Sequence, residues 1–443
     1  MRVLLIVTGL LFVAGCGKSR EPVDLSIDNP KKAESTATPD VVETPDVETP
    51  ANARKLLIQA AKLAKQGLVG KSIELLSHAI SMNSEDPELY IARAEVYSMM
   101  REDASALADY STAVRVRPDD ASIHNRRGFF LLSRSEHTRA LKDFSAAIRL
   151  NPKSSQAYNN RGLVYLSINQ ADKAIADFGS ALQIDPEYTD AWNNRGYAQY
   201  RRQKYPEAIK DLTQAIKRKS GYVNALNNRA LVYHAMEKYE QAIADFSAAI
   251  EQSPYEIKLL QSRRAAYLKL ERFAEARSDK SRVEWLIGLG AISKDVDREP
   301  LVYTHYLRRG EYLAAASQHE AAIRDFSRAA QLNNDEPQAI IQRAHSLLAL
   351  KEYGKALRDC DTAIEMGKEH PDPLAYSVRG DIWMAKKDFD KAISDFERCS
   401  RFDSSVADAY LMRAAALESA GKTADAKADR QRAAAIDPQA SIR

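Results

Sequence analysis

Residues 155–188 read SQAYNNRGLVYLSINQADKAIADFGSALQIDPEY, and their pattern recurs along most of the chain. Numbering this stretch from 1 to 34 puts Arg161 at position 7 and Asp177 at position 23. A step of 34 residues, interrupted at two places, separates ten copies of this pair. A fixed period of this length indicates stacked copies of one supersecondary unit. The ten pairs are Arg93/Asp109, Arg127/Asp143, Arg161/Asp177, Arg195/Asp211, Arg229/Asp245, Arg263/Asp279, Arg309/Asp325, Arg343/Asp359, Arg379/Asp395 and Arg413/Asp429.

Each copy contains two apolar segments with helical spacing. In residues 155–188, apolar or small side chains fall at positions 4, 8 and 11 and again at positions 20, 24 and 27. This spacing is typical of the buried stripe of a helix, so each copy predicts two antiparallel helices joined by a short turn. A proline at position 32, here Pro186, ends the second helix. The six apolar positions hold Tyr158, Gly162, Tyr165, Ala174, Phe178 and Ala181.

Small residues recur where the two helices must approach each other. Position 20 is Ala in ten copies, and position 8 is Gly or Ala in nearly every copy. Helices pack closely where side chains are small, and an aromatic ring at position 24 or 4 can then fill the remaining space. Packing of position 8 against position 24 would bring the Arg at 7 beside the Asp at 23. The first copy lacks both members, with Gln59 and Leu75 in their places.

This pattern resembles the tetratricopeptide repeat, whose motif has Trp or Leu, Gly or Ala, Tyr, Ala, Phe, Ala and Pro at these positions. The resemblance covers residues 53–440 in eleven copies. It implies an all-α fold, a right-handed superhelical solenoid of about eleven helix-turn-helix units. It also implies that the first helix of each repeat lines an inner groove, where members of the family bind protein segments.

The N-terminus has a different character. Arg2 precedes an apolar run at residues 3–14, which is too short to span a bilayer and is typical of a signal peptide, predicted at residues 1–15. The run ends in Val13-Ala14-Gly15-Cys16, which resembles the bacterial lipobox. That resemblance implies cleavage before Cys16 and lipid on its thiol. An ordinary signal peptide that contains a cysteine is the alternative.

The sequence after Cys16 suggests where the chain resides. Gly17 follows the cysteine in place of the Asp that resembles an inner-membrane retention signal, which favours the outer membrane. Residues 16–52 are rich in Pro, Thr, Asp and Glu and predict a disordered tether. We therefore expect a lipid-anchored protein of the cell envelope, with its repeats in the periplasm or at the cell surface.

The repeats divide into two groups. Repeats 1–7 occupy residues 53–290 and repeats 8–11 residues 303–443, with a joint or insertion at 291–302. In repeat 7, Arg264 and Lys280 bring charges to the packing positions 8 and 24. A continuous superhelix with one bulged loop is the alternative to two arrays.

The recurring ion pair has two interpretations. In the first, the pairs form a structural ladder along the solenoid, each contributing about 0–1 kcal/mol if it is exposed. In the second, the arginines bind a ligand and are not paired with the aspartates. Cys360 and Cys399 fall at core positions, where we expect buried free thiols, with a disulfide between adjacent repeats as the alternative.

The candidate binding residues lie on the predicted first helices. Asn recurs at positions 5 and 6 although it is a poor residue for a helix interior. An amide can donate to and accept from a peptide backbone, and the arrangement resembles the asparagine ladders of other tetratricopeptide superhelices that hold extended peptides. A polar contact between neighbouring repeats, or shared repeat ancestry alone, is the alternative. The predicted peptide-binding residues are Asn125, Asn159, Asn160, Asn193, Asn194, Asn227 and Asn228, with Tyr197, Tyr200 and His234, and Leu163 and Leu231 in the same trough.

Other functions are less compatible with the sequence. The 64 Lys and Arg and 61 Asp and Glu nearly balance, so no nucleic-acid partner is predicted. None of the common catalytic or metal motifs occurs, and the eight His are scattered, so we predict no enzyme, cofactor or metal site. The expected function is an envelope-anchored scaffold that binds peptide segments of protein partners. A glycan-binding surface lipoprotein of a nutrient-uptake system, with residues 291–302 as its loop, and a passive structural spacer are the alternatives.

Overall fold

The structure, a computed structural model, describes residues 50–368 and 370–439. This part of the chain contains helices and no strand, which confirms the predicted all-α repeat solenoid. The predicted signal peptide, Cys16 and nearly all of the predicted tether lie outside the described residues. The helices are α1 (Pro50–Lys65), α2 (Val69–Met82), α3 (Pro87–Met99), α4 (Asp103–Val116), α5 (Ala121–Ser133), α6 (His137–Leu150), α7 (Ser155–Ser167), α8 (Ala171–Ile184), α9 (Thr189–Arg201), α10 (Tyr205–Arg218), α11 (Val223–Ala235), α12 (Tyr239–Gln252), α13 (Ile257–Lys269), α14 (Phe273–Arg298), α15 (Tyr303–Ala315), α16 (His319–Leu332), α17 (Gln338–Ala349), α18 (Tyr353–Met366), α19 (Pro373–Ala385), α20 (Phe389–Arg398), α21 (Ser404–Ser419) and α22 (Thr423–Ile436).

The described residues form two compact units, one up to residue 280 (unit 1) and one from residue 281 (unit 2), and the division falls within α14. Helix α14 has 26 residues, whereas the other helices have 10 to 16. The first eight residues of the predicted insertion at 291–302 therefore belong to this helix and form no loop. The cause is an apolar spacing of three and four residues that continues past position 290, with buried side chains at Val283, Leu286, Leu289, Ile292 and Val296.

The two helices of a repeat pack where the small residues predicted contact. A Cβ atom added to Gly162 would lie 2.7 Å from Cε1 of Phe178, so the ring would have to shift to admit a larger residue there. In unit 2 the same substitution at Gly310 would place the Cβ 2.6 Å from Phe326. Both rings are fully buried. The predicted packing of position 8 against position 24 is confirmed.

The turn between the two helices has one conformation throughout. Position 15 has a positive φ in all eleven repeats, and the N–H of position 16 donates to the C=O of position 11 at 2.8–3.0 Å. This is the 6→1 bond of a Schellman turn, in which glycine is the favoured residue. Here glycine occupies the position only at Gly67 and Gly421. The other nine are Arg101, Ser135, Asn169, Gln203, Glu237, Glu271, Ser317, Lys351 and Lys387.

First helices of neighbouring repeats contact one another within each unit. In unit 1, α1 contacts α3, α5 contacts α7, and α9 contacts both α7 and α11; in unit 2, α17 contacts α15 and α19. These contacts skip the second helix that lies between them in sequence. Within each unit, the first helices are therefore drawn together on one side, which we call the inner face.

Candidate functional site

The ten Arg–Asp pairs are all formed. In each, Nε and Nη2 of the arginine donate to the two oxygens of the carboxylate at 2.6–3.0 Å. The Asp177 hydrogen bonds raise the pKa of the Arg161 guanidinium, which also lies 5.7 Å from the centroid of the Tyr158 ring. The fork geometry is the strongest arrangement for this pair.

The arginines also join neighbouring repeats. Nη1 of Arg161 donates to Ser145 of the preceding repeat at 3.3 Å. With three of its nitrogens engaged, the guanidinium is not available as a ligand-binding group. The pairs therefore support the structural interpretation of the ladder. The same bond to the preceding repeat joins Arg93 to Ser77, Arg229 to Thr213, Arg263 to Ser247 and Arg343 to Ser327.

The predicted asparagines form hydrogen bonds to one another. Nδ2 at position 6 donates to Oδ1 at position 5 of the preceding repeat in three consecutive steps. The donor–acceptor pairs are Asn160–Asn125 at 3.1 Å, Asn194–Asn159 at 3.0 Å and Asn228–Asn193 at 2.9 Å. We call these six residues the amide chain. It is the polar contact between neighbouring repeats that the sequence left as an alternative.

Burial limits what the amide chain can bind. Asn159 and Asn160 are 0% and 1% exposed, and two of their atoms, Asn159 Nδ2 and Asn160 Oδ1, have no partner. In the next repeat the equivalent atoms of Asn193 and Asn194 bond at 3.1 Å. A small rotation of the two side-chain amides would let Nδ2 of Asn159 donate to Oδ1 of Asn160 in the same way. Asn227, at position 5 of the last repeat in this asparagine series, is half-buried and makes no hydrogen bond within the described residues.

The predicted aromatic residues lie beside the amide chain. The ring centroids of Tyr197 and Tyr200 are 6.2 Å apart, and burial raises the pKa of Tyr200. Burial lowers the pKa of the His234 imidazole below its ordinary value, and the Lys269 ammonium lowers it further. The Nε2 atom of His234 is buried without a partner, while the ring contacts Tyr239 edge-on at 5.2 Å. These half-buried side chains, with Asn227 and Leu231, form what we call the inner-face patch.

The first helices α5, α7, α9, α11 and α13 carry more basic than acidic residues, which the sequence analysis did not identify. The first helices α5, α7, α9, α11 and α13 contain one carboxylate, Asp190, which accepts a hydrogen bond from the Tyr222 hydroxyl at 2.6 Å. Their basic residues other than those of the ladder are Arg126, Arg201, Lys258, Arg264 and Lys269.

Only some of these cations have acidic partners. Arg126 lies 3.3 Å from Glu88 and 3.7 Å from Glu95, and Arg201 donates to the neutral Asn169. Within the described residues, Lys258 and Lys269 are exposed and form neither an ion pair nor a hydrogen bond. The near-zero net charge of the whole chain conceals this excess, which a count of charges helix by helix would have found.

Side chains at or near the other predicted features have plain structural roles. Trp285, near the predicted insertion, stacks on Tyr312 at 6.0 Å, and the Arg282 guanidinium lies 4.2 Å from its ring centroid. Its ring is thus occupied by protein groups and is a poor platform for a sugar. Cys360 and Cys399 are both free; Cys360 is buried, but Cys399, expected in the core, is only partly buried because α20 ends at Arg398.

Two further properties concern residues 50–368 and 370–439. No cluster of three or more His, Cys, Asp or Glu side chains in this part of the chain could hold a metal ion. None of its helices combines the length and the apolar character that crossing a membrane requires.

Comparisons with known proteins agree with this architecture. A tetratricopeptide repeat model matches residues 100–155, 193–257 and 341–403, a second one matches 144–176, and a TPR repeat model matches 162–202. Solved structures similar to the chain include PilW, a widely conserved type IV pilus biogenesis factor, at 17% identity over 47% of this chain and 97% of that one, with a TM-score of 0.43. PilF of Pseudomonas aeruginosa matches at 17% identity over 48% and 97%, with a TM-score of 0.42.

A third solved structure is that of YrrB, described as a TPR protein with an unusual peptide-binding site. It matches at 22% identity over 43% of this chain and 97% of its own, with a TM-score of 0.36. The repeat models match consecutive stretches of unit 1 and a stretch of unit 2, in agreement with the helix pairs described above. The stretches that these models match, residues 100–257 and 341–403, are tetratricopeptide repeats, as the sequence predicted for them.

Proposed function

We propose that this protein is a non-catalytic scaffold that binds extended segments of protein partners on the inner face of unit 1. The observation that carries the proposal is the inner-face patch, where half-buried aromatic rings and the unbonded amide of Asn227 lie beside cations without acidic partners. Tetratricopeptide repeat proteins in general are interaction scaffolds, which favours the same class of function.

An extended peptide fits this surface for chemical reasons. Tyr197, Tyr200 and His234 offer apolar surface with polar edges, a combination enriched at protein interfaces. The amide of Asn227 can both donate to and accept from a peptide backbone. The amide chain contributes indirectly, since its bonds fix the register of α5, α7, α9 and α11 and hold the patch in shape. Peptide contacts thus fall at the edge of the asparagine array, on Asn227 and the rings.

We further propose that the scaffold is anchored in the cell envelope through lipid on Cys16. The charged start, the short apolar run and the lipobox-like end of residues 1–15 support this, and Gly17 favours the outer membrane. Two or three acyl chains would hold the protein stably, whereas one would hold it marginally. Replacing Cys16 with Ala should move the protein from the membrane fraction to the soluble fraction and remove incorporation of a labelled fatty acid. Retention of both properties would contradict the anchor.

Affinity capture tests the binding function. The full chain is used as bait in detergent-solubilised envelope, alongside a Tyr197→Ala/Tyr200→Ala variant and an exposed-site control, Glu311→Ala, at the equivalent position of unit 2. We expect a partner that the bait and the control recover and the tyrosine variant does not. Recovery of no protein above background, or equal recovery by all three baits, would reject the proposal.

A further inference from the structure

The amide chain stops at repeat 7, where one side chain is too short to continue it. The last step of the chain is the bond from Asn228 at position 6 to Asn193 at position 5 of the preceding repeat, at 2.9 Å. Position 6 of repeat 7 is Ser262, whose hydroxyl oxygen lies one bond closer to Cβ than the amide nitrogen of an asparagine does. Ser262 and Asn227 form no hydrogen bond with each other. Oδ1 of Asn227 is therefore an acceptor without a donor among the described residues.

Repeat 7 is also small at the next position of the same helix face. Positions 6 and 9 are three residues apart and so lie on one face of the first helix. Ala265 at position 9 is exposed, and α13 thus presents only small side chains beside Asn227 and Leu231. Position 9 of repeats 3–6 holds larger residues, namely Phe129, Leu163, Tyr197 and Leu231.

The facing surface of α11 is polar but uncharged. Asn227, Leu231 and His234 follow one another at steps of four and three residues and share one face of the helix. Burial and the Lys269 ammonium lower the pKa of the His234 ring, so the imidazole is neutral at neutral pH. Its Nε2 atom is buried without a partner. Two uncharged hydrogen-bonding groups therefore flank Leu231, which favours an uncharged polar group as their ligand.

The space between first helices limits which part of a ligand can enter. Packed helices lie about 8–10 Å apart, and in the earlier repeats two side-chain amides fill this space. Asn160 and Asn228 are only 1% and 4% exposed there. A peptide backbone with its flanking side chains is too wide for such a space, whereas the side chain of Asn or Gln has the size of the amide that repeat 7 lacks. Its NH₂ group can donate to Oδ1 of Asn227 while its oxygen accepts from Nδ2.

We infer that the partner segment inserts the carboxamide side chain of an Asn or Gln between α11 and α13, where it forms hydrogen bonds with Asn227. It occupies the place that asparagine has at position 6 of repeats 4–6, and its apolar atoms pack on Leu231 and Ala265. This inference rests on the proposed function and specifies the residue type that the inner face recognises. A partner without a carboxamide leaves the half-buried amide of Asn227 without a hydrogen bond and binds more weakly.

Peptide selection tests this recognition. Peptides from a random library are selected on the full chain, and each Asn or Gln of a selected peptide is replaced in turn by Leu or Met, which have a similar shape but no amide. We expect one position to hold Asn or Gln in most selected peptides, and its replacement to weaken binding about tenfold. Peptides whose binding requires Tyr197 and Tyr200 but no Asn or Gln would overturn the inference and keep the scaffold function. Failure to select any peptide would count against both.

A double-mutant cycle tests whether the carboxamide contacts Asn227. On an Asn227→Leu chain, the same replacement in the peptide should change the affinity by less than about twofold, because the partner of the carboxamide is gone. A tenfold loss on that chain as well would place the carboxamide elsewhere and contradict the inference.

Filling the space from the chain itself provides the converse test. Ser262→Asn supplies the amide that repeat 7 lacks, so it should weaken peptide binding about tenfold and slow hydrogen exchange in α11 and α13 about fivefold. The matched control is Gln342→Asn, which places the same side chain at position 6 of a repeat in unit 2 and should leave the affinity unchanged. Unchanged affinity in Ser262→Asn, or equal losses in the two variants, would overturn the inference.

Discussion

Repeats 3–6 of unit 1 and repeats 8–11 of unit 2 share the same internal construction but differ on the inner face. Both have Arg–Asp pairs of the same geometry, as in Arg161–Asp177 and Arg309–Asp325. Positions 5 and 6 differ between them. Unit 1 has the amide chain there, whereas unit 2 has Leu307 and Arg308, Ile341 and Gln342, Ser377 and Val378, and Leu411 and Met412.

The comparison separates two kinds of repeated residue. Residues present in both units, such as the ladder and the glycine–phenylalanine contacts, build the repeat. Residues confined to unit 1, such as the amides and the unpaired lysines of α13, distinguish one inner face from the other. Residues that recur in both units therefore build the repeat, whereas residues confined to unit 1 give its inner face a different surface and a different set of contacts between repeats.

The largest effect should come from removing a ring that both units share. Phe178→Ala and Phe326→Ala each delete a fully buried side chain and should each destabilise their own unit by about 3–5 kcal/mol. Local hydrogen exchange followed by mass spectrometry measures the change in each unit. Phe273→Ala, whose side chain is 61% exposed, is the control and should cost less than about 0.5 kcal/mol. A loss below about 1 kcal/mol in either unit would mean that the ring is not part of a common core.

The ladder should behave alike in the two units. Arg195→Ala and Arg309→Ala each leave a buried carboxylate without its donors and should cost about 2–3 kcal/mol. Thermal melting together with local hydrogen exchange measures this. The control is Arg202→Ala, because its ion pair with Asp172 is exposed and is expected to contribute at most about 1 kcal/mol. Equal losses of stability in Arg195→Ala and Arg202→Ala would show that burial does not increase the contribution of the Arg195–Asp211 pair to stability.

The amide chain should be needed in unit 1 alone. Asn194→Leu removes the donor to Asn159 and should cost about 1–2 kcal/mol, whereas Gln342→Leu at the same position of unit 2 should be nearly neutral. Adding Asn159→Leu should recover part of the loss, since both partners are then apolar. Urea denaturation of these three variants and of Asn159→Leu alone measures the differences. Additive losses in the double variant would contradict a direct bond between the two amides.

The smallest expected effect on stability is at the turns, where substitution by glycine should stabilise the protein. Gln203→Gly and Lys387→Gly replace residues with φ of 60° and 63° by the residue that adopts this conformation without strain. Removing the left-handed backbone strain gains about 1 kcal/mol, which exceeds the cost of the greater conformational entropy that glycine gives the unfolded chain. Each variant should therefore be more stable by about 0.5 kcal/mol. Urea denaturation with Gln203→Ala as the control tests this. Destabilisation by glycine would mean that the turn is held by side-chain contacts.

Much of the fold was predictable from the sequence because the recurring residue types indicate which positions of the two helices pack against each other. Glycine at position 8 and a large side chain at position 24 imply that these positions are in contact. The structure shows this contact between Gly162 and Phe178. The left-handed turn at position 15 was not predictable, because tertiary packing imposes it on residues as different as Ser135 and Glu271. The extension of α14 was missed because the repeat length, and not the apolar spacing beyond residue 290, set the predicted boundary.

The candidate site was predictable only in part. The positions of the asparagines follow from the period, but sequence cannot tell whether two amides face each other or face solvent. That depends on the stagger between neighbouring helices, which puts Asn160 against Asn125. The unpaired cations were overlooked because acidic residues on other helices balance the total charge. Burial and pairing are properties of the packed repeats and become visible only there.

Peptide binding by two variants of adjacent residues tests the central claim most directly. A peptide selected on the full chain is titrated against Tyr197→Ala/Tyr200→Ala and against Arg195→Ala, with binding measured by fluorescence anisotropy below the melting temperature of every variant. We predict that the tyrosine variant binds about tenfold more weakly at a temperature where it is fully folded. Arg195→Ala should lose stability and keep its affinity within about twofold. The reverse pattern, with affinity lost in Arg195→Ala and retained in the tyrosine variant, would contradict the division between ladder and binding face.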